Sequence, residues 1–251
     1  MASVAVDYTS RESLETAFRG QDVIIATFDN QALVYEKSMI DAAIAVGVQR
    51  FIPCDWGSIT TDPAVVPLGI FTPLIEVQKY LREKGEAGQI EHTIFSVGAF
   101  MDSLLENGLL FDWSNRTTQL YGGGNRPFSS TSLAGVGKAI VGSLRNPEAT
   151  KNRNIFIHEI VVSQAQVLEL AKKHSGAEWK VSNIGDVRAE LEKNVQELQE
   201  SFSPLGFLSA LKTAIFGGLY RSRYEEVDND LVGLKLVSDE EFEAKVAKVA
   251  A

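Results

Sequence analysis

Through the first half of the chain, short unbroken apolar runs alternate with stretches of helical periodicity, the pattern of a parallel sheet covered by helices. Val4-Ala5-Val6-Asp7 reads as a short strand, and Ser10 caps a helix over residues 10–18 that Gly20 ends. Asp22-Val23-Ile24-Ile25-Ala26-Thr27 is the continuous apolar run of a buried strand. Residues 32–46 are helical until Gly47 stops them. Arg50-Phe51-Ile52-Pro53 is the next strand and Cys54-Asp55-Trp56-Gly57 its exit loop. A helix over residues 73–84 starts on Pro73, a residue suited to a first helical turn, and His92-Thr93-Ile94-Phe95-Ser96-Val97 is a further strand.

The second half is less regular. Residues 100–110 and 133–145 have helical spacing, Gln119-Leu120-Tyr121 is extended, and Gly122-Gly123-Gly124-Asn125 is a turn. Residues 154–162 and 179–183 read as strands, and 164–175, 186–200 and 239–249 as helices. Residues 202–224 are apolar and contain glycine, and Phe202, Phe207, Leu208, Leu211, Ile215, Phe216, Leu219 and Tyr220 suit a lid over a cleft or a dimer seam. No internal repeat is visible.

Composition narrows the partners. The 251 residues are 45% hydrophobic, 9% aromatic and 23% charged, which is ordinary globular usage and excludes disordered and low-complexity classes. With 33 acidic against 24 basic residues the net charge is -9, and no basic run offsets it, so a phosphate backbone would be repelled. The single cysteine, Cys54, excludes an intrachain disulfide and any multi-Cys zinc site, and His92, His158 and His174 have no metal-ligand spacing. No apolar run approaches the ~18 residues of a membrane helix, and the first residues lack the charged and apolar parts of a signal peptide. The expectation is a cytoplasmic protein with neither nucleic-acid nor membrane partner and no bound metal.

Asp22-Val23-Ile24-Ile25, followed by Ala42-Ala43-Ile44-Ala45-Val46-Gly47-Val48-Gln49-Arg50-Phe51-Ile52-Pro53, resembles the NmrA-like and isoflavone-reductase-like proteins, a branch of the atypical short-chain dehydrogenases. Cys54-Asp55-Trp56-Gly57 stands where that family carries Ser-Glu-Phe-Gly, and Gly98-Ala99-Phe100-Met101-Asp102 is similar to its G-x-F-x-D. Lys138-Ala139-Ile140-Val141 and Asn152-Arg153-Asn154 resemble its second-half pattern. The resemblance implies an α/β fold: a Rossmann-like parallel sheet flanked by helices over residues 1–98, and a smaller α+β substrate-binding part over residues 99–251 that interleaves with it.

Two family features have no counterpart. Members open with a strand, a glycine-rich loop and a helix that hold a cofactor pyrophosphate, then a second strand and helix. Here residues 4–7 correspond to the family's third strand, so two strand–helix units of about 30 residues each are unmatched. The family's reductases also carry a lysine in the helix spanning residues 73–84. Aligned on Val77, Tyr80 and Leu81, its position is Leu74, and Lys79, five residues on, lies roughly 140° around the helix. The sheet is expected to be truncated, with residues 4–6 sliding inward to pair with residues 23–26. The exposed edge or face would suit a homodimer.

Ligands of open α/β sheets bind at the carboxyl ends of strands. Three exits bring together Phe28, Asp29 and Asn30; Cys54, Asp55 and Trp56; and Gly98, Phe100 and Asp102. Asp55 is either a desolvated acid or base or a turn residue bonding its own loop. Asp102 is either a second carboxylate or a partner of a helix N-terminus. His158 is either a proton shuttle or a structural histidine. Phe28, Asn30, Cys54, Trp56 and Phe100 are the candidate substrate contacts, for an aromatic or polyketide-like small molecule.

Without a phosphate cradle or lysine, the leading expectation is a cofactor-independent, redox-neutral enzyme. Cyclisation by addition of a hydroxyl to an alkene, or isomerisation, fits that part list. The alternatives are an NAD(P)H-dependent isoflavone-reductase-like oxidoreductase and a non-catalytic NmrA-like regulator or ligand sensor.

Overall fold

The structure, a computed structural model, describes residues 3–106 and 108–250; the side chain of Asn30 also lies outside the described set. The strands are β1 (Val23–Ile25), β2 (Arg50–Ile52), β3 (Glu91–Ser96), β4 (Ala99–Phe100), β5 (Phe111–Asp112), β6 (Thr117–Tyr121), β7 (Pro127–Thr131), β8 (Arg153–Phe156), β9 (Ile160–Ser163) and β10 (Lys180–Ile184). The helices are α1 (Arg11–Phe18), α2 (Glu36–Ala45), α3 (Thr72–Glu86), α4 (Met101–Leu105), α5 (Leu133–Arg145), α6 (Pro147–Thr150), α7 (Gln164–Ser175), α8 (Val187–Glu200), α9 (Pro204–Phe216), α10 (Asn229–Val232) and α11 (Asp239–Ala250).

The longest apolar runs build a parallel sheet in the order β1-β2-β3-β8, with Ile24 opposite Phe51 and Phe95 opposite Ile155. β2 is buried throughout and β3 at every residue but Glu91, and their polar residues Arg50 and Thr93 are hydrogen-bonded within the fold. Helices pack on it by their apolar stripes. On α2, Glu36, Met39, Ile40 and Ala43 share one buried face, and α3 turns Val77, Gln78 and Leu81 inward. Sequence-local caps define the ends: Ser10 Oγ accepts from Ser13 N–H (3.2 Å) at α1, and Ser163 and Gln166 close a reciprocal capping box at α7.

Two further sheets, β4-β7-β9 and β10-β6-β5, carry the second half. Their aromatic residues Phe111, Trp113 and Trp179 meet edge-on or tilted, and Phe128 packs against Phe216 at a centroid separation of 4.8 Å. Since β8 pairs with β3, chain from beyond residue 98 completes the first sheet.

Three expectations change, and one undecided segment takes a definite form. Residues 4–6 do not join the sheet, and β1 has β2 as its one partner among the described residues. Val6 alone of that short run packs, partly buried, against the α1–α2 cluster, while Val4 and Ala5 stay exposed, so the run is held by one side chain and not by strand pairing. The strand expected over residues 154–162 is two strands, because β8 belongs to the parallel sheet and β9 pairs antiparallel with β7. The helix expected over residues 100–110 ends at Leu105; Gly108, in the left-handed region at φ 67°, turns the chain toward β5. Within residues 202–224, Pro204–Phe216 forms a helix started by Ser203, whose Oγ accepts from Gly206 N–H.

Candidate functional site

The exit of β2 is the most densely bonded point of the carboxyl edge. Cys54 N–H donates to Glu36 Oε1 (2.6 Å) and Cys54 Sγ to the Phe28 carbonyl (3.2 Å). Trp56 Nε1 donates to the Ala26 carbonyl (3.1 Å), and its ring stacks on Phe95 at 5.7 Å between centroids. Asp55 is buried, and both its oxygens accept. Thr60 Oγ1 (2.7 Å) and Gly57 N–H (3.3 Å) bond Oδ1, and Gln78 Nε2 (2.6 Å) bonds Oδ2. Arg82 donates to Gln78 Oε1 (3.1 Å), which fixes that amide's orientation. Burial pushes the Asp55 carboxyl above its ordinary value, opposed by these bonds.

The loop that Asp55 shapes then ties three elements together. The Gly57 carbonyl accepts from Val97 N–H (3.1 Å), and the Ser58 carbonyl accepts from Tyr224 Oη (2.6 Å). Tyr224 Oη in turn accepts from Gly98 N–H (3.0 Å).

The other sequence candidates lie apart from this cluster. Asp102 Oδ2 accepts from Leu133 N–H (2.7 Å) at the start of α5, a favourable place for a carboxylate. His158 sits in the crossing between β8 and β9. Its Nδ1 lies 3.0 Å from Ser129 Oγ, its N–H donates to Asn229 Oδ1, and burial lowers its pKa. Phe28 is half-buried beside Tyr8, and Phe100 packs in the cluster of Val136 and Ile157. The side chain of Asn30 is outside the described residues. The structure thus gathers Cys54, Asp55 and Trp56, with Phe28 joined to them through its carbonyl and Phe100 packed against the same apolar cluster as Trp56, and leaves the Asp102 and His158 side chains bonded to other partners.

Glu36 was not singled out by sequence reasoning. It is fully buried, its Oε2 has no hydrogen-bond partner, and burial together with the nearby Asp55 charge raises its pKa to about 7. A signal was present: Glu36 stands at the helical spacing of Met39, Ile40 and Ala43, an acid on an apolar face.

A groove with a volume of about 440 Å³ opens between the start of α3 and the corner joining α8 to α9. Leu33, Leu68, Ile70 and Leu74 form one wall, and Leu198, Phe202 and Phe207 the other; Gln199 is its one polar side chain. Asp55, Asp102, His158, Phe28, Cys54, Trp56 and Phe100 are not among its lining residues. A smaller recess of about 320 Å³ shares Leu68 and Gln199 with it and adds Arg188 and Glu192.

The exits of β1 and β2 offer no cradle for the diphosphate of the nicotinamide dinucleotide that the family resemblance implies. A diphosphate needs free backbone N–H groups at a glycine-rich turn into a helix. After β1, the N–H groups of Gln31 and Ala32 are already taken by Asp29 Oδ1 (2.9 and 3.3 Å). After β2, Cys54 N–H is taken by Glu36, and Asp55 adds another buried carboxyl. Both exits present carboxyl groups where a diphosphate would need donors.

Comparison with known proteins places these features. The NmrA-like family model matches residues 3–212. An oxidoreductase, aprR, of Aspergillus flavus is 32% identical over 96% of this chain and 82% of its own length. The structures of pinoresinol-lariciresinol and phenylcoumaran benzylic ether reductases share the fold, with a TM-score of 0.73 and 19% identity, covering 97% of this chain and 80% of theirs. The triphenylmethane reductase of Citrobacter sp., solved with NADP(H), has a TM-score of 0.66 and 17% identity over 98% of this chain and 82% of its own.

These findings overturn the leading sequence expectation. A cofactor-independent, redox-neutral cyclase or isomerase had been inferred from the unmatched glycine-rich loop and from Leu74. An oxidoreductase aligned over 96% of the chain and a phenylcoumaran benzylic ether reductase of Betula pendula aligned over 84% of it are named as redox enzymes, and the two departures do not outweigh those alignments.

Proposed function

Because the chain belongs to the NmrA-like family, we propose that it is an enzyme, an NAD(P)H-dependent oxidoreductase that acts on an aromatic small molecule held in the groove between α3 and the α8–α9 corner. The observation that carries this reading is the joint one of an oxidoreductase relative aligned over 96% of the chain and an apolar groove of about 440 Å³, within the usual size range of small-molecule sites. Leu33, Leu68, Leu74 and Phe207 offer ring-sized apolar surface, and water leaving it favours binding. A reduced nicotinamide nucleotide supplies hydride to such reactions when bound. This chain's own contribution is to hold the acceptor and exclude water from it.

The carboxyl groups at the strand exits predict weak nucleotide binding. Steady-state turnover of the full chain with NADPH or NADH, against a panel of neutral quinones and aryl carbonyls, tests the reading. Acceptor-dependent loss of reduced nicotinamide is expected, with a nucleotide KM toward the upper end of the usual range, around 1 mM. No acceptor-dependent oxidation at saturating nucleotide, with any member of the panel, contradicts it.

A further inference from the structure

The groove has a chemical bias that the proposed reaction does not require. Its walls carry no ionisable side chain, and Gln199, at the boundary with the adjoining recess, is its single polar group. Among the cations on the helices that frame it, Lys79 lies 3.9 Å from Glu83 and Lys193 3.9 Å from Glu197, and Arg188 shares the adjoining recess with Glu192. Leu74 puts an isobutyl group on the α3 wall. An ionised ligand entering this space would lose hydration and find no compensating charge, whereas a hydroxyl or carbonyl meets the amide of Gln199.

The rim extends the apolar surface outward. Phe202 is 72% exposed and Leu205 78% exposed, both at the corner between α8 and α9. On the facing side, Val34 is also exposed. Apolar surface of this kind beside a concave site marks a place where a ligand covers it. The groove's volume of about 440 Å³ suits fused rings.

We propose that the groove selects neutral, fused-ring or similarly compact apolar ligands that carry one hydrogen-bonding group, with Gln199 as the anchor and Leu74 as the residue that excludes anions. This rests on the reading of the groove as the substrate site, but it is tested by binding alone.

The probes are naphthalene, 2-naphthol and 2-naphthoate, which share one ring system and differ in the polar group. Binding to the full chain is measured by calorimetry at about pH 7.5, where naphthol is uncharged and naphthoate ionised. The expected order places 2-naphthol about tenfold or more tighter than 2-naphthoate. Gln199→Leu is expected to weaken 2-naphthol about three- to tenfold and leave naphthalene unchanged. Leu74→Lys is expected to reverse the order in favour of 2-naphthoate. Circular dichroism of each variant shows that it keeps the fold. Equal binding of the naphthol and the naphthoate, no binding of either, or a Leu74→Lys variant with unaltered preference overturns the proposal.

Turnover separates the two readings. Neutral-selective binding without nicotinamide oxidation leaves this inference standing and removes the oxidoreductase. Oxidation of nicotinamide by acceptors whose binding ignores Gln199 and Leu74 does the reverse.

Discussion

Glu36 and His92 are buried groups whose protonation opposes each other. Burial raises the Glu36 pKa from 4.5 to about 7, and burial with the charges of Arg82 and Arg50 lowers that of His92 from 6.5 to about 4. Glu36 keeps its proton in the folded chain where the unfolded chain has lost it, so its cost begins above pH 4.5 and is complete above about 7. His92 stays neutral in the folded chain where the unfolded chain is protonated. Its cost therefore begins below pH 6.5 and is complete below about 4. Each shift of about 2.5 units corresponds to about 3 kcal/mol. Between pH 4.5 and 6.5 the folded chain holds one extra proton at Glu36 and one fewer at His92, so their contributions to the slope cancel.

Glu36→Gln removes one side of that balance. Urea unfolding across this window is expected to show stability rising with pH in the variant relative to the parent chain, by about 3 kcal/mol in all, so that the variant exceeds the parent by a similar amount at pH near 8. Parallel pH profiles for the two proteins would contradict the assignment. Asp55, Cys54 and Trp56 were legible in the sequence because a strand followed by a Gly-terminated loop locates a carboxyl edge. Glu36 was not, since an acid in a first helical turn also suits the helix dipole, and only the packing of α2 under the β2 exit decides which way it points.

At the scale of elements, the loop after β2 is a fastener. Tyr224, brought from far along the chain, bridges the Ser58 carbonyl and Gly98 N–H, and Gly98 itself adopts φ 73° with Ser129 carbonyl oxygen 2.2 Å from where a Cβ would stand. Burial holds the Tyr224 hydroxyl in its neutral form, so it both donates and accepts. Tyr224→Phe leaves both buried backbone groups without that partner. The expected cost is about 2–4 kcal/mol, read as a shift in the denaturant midpoint; a cost under about 0.5 kcal/mol, the level of an ordinary surface change, would show that the bridge does not matter. The apolar run around β1 and the helical spacing of α2 revealed these elements directly. The split of residues 154–162 between β8 and β9 was hidden, because both halves have the same alternating pattern and only their partners differ. The fate of residues 4–6 was hidden for a related reason: a short apolar run states that something is buried, not that it pairs.

For the whole molecule, the family and the α/β architecture were readable from the block ending in Pro53-Cys54-Asp55-Trp56-Gly57. The functional inference drawn from Leu74 and the unmatched glycine-rich loop was not sound. It treated two departures from a pattern as a change of reaction, whereas the long alignment with a named oxidoreductase shows how far sequence similarity extends despite them. The groove was invisible in the sequence because its walls come from three distant segments, around Leu33, around residues 68–74, and at the α8–α9 corner. Among the described residues, no helix is long and apolar enough to cross a membrane.

The central claim is that oxidoreductase chemistry takes place on a molecule held in that groove. Leu33 is half-buried in its wall, and Leu33→Trp fills the space without touching the sheet core. The decisive measurement is the acceptor-dependent oxidation of NADPH by the parent chain and by Leu33→Trp, side by side, with the variant's fold checked by its unfolding midpoint. The account predicts turnover in the parent chain and a loss of at least about a hundredfold in kcat/KM in the variant, close to 3 kcal/mol of lost transition-state stabilisation. Equal turnover by a well-folded variant, or none by either protein, would contradict it.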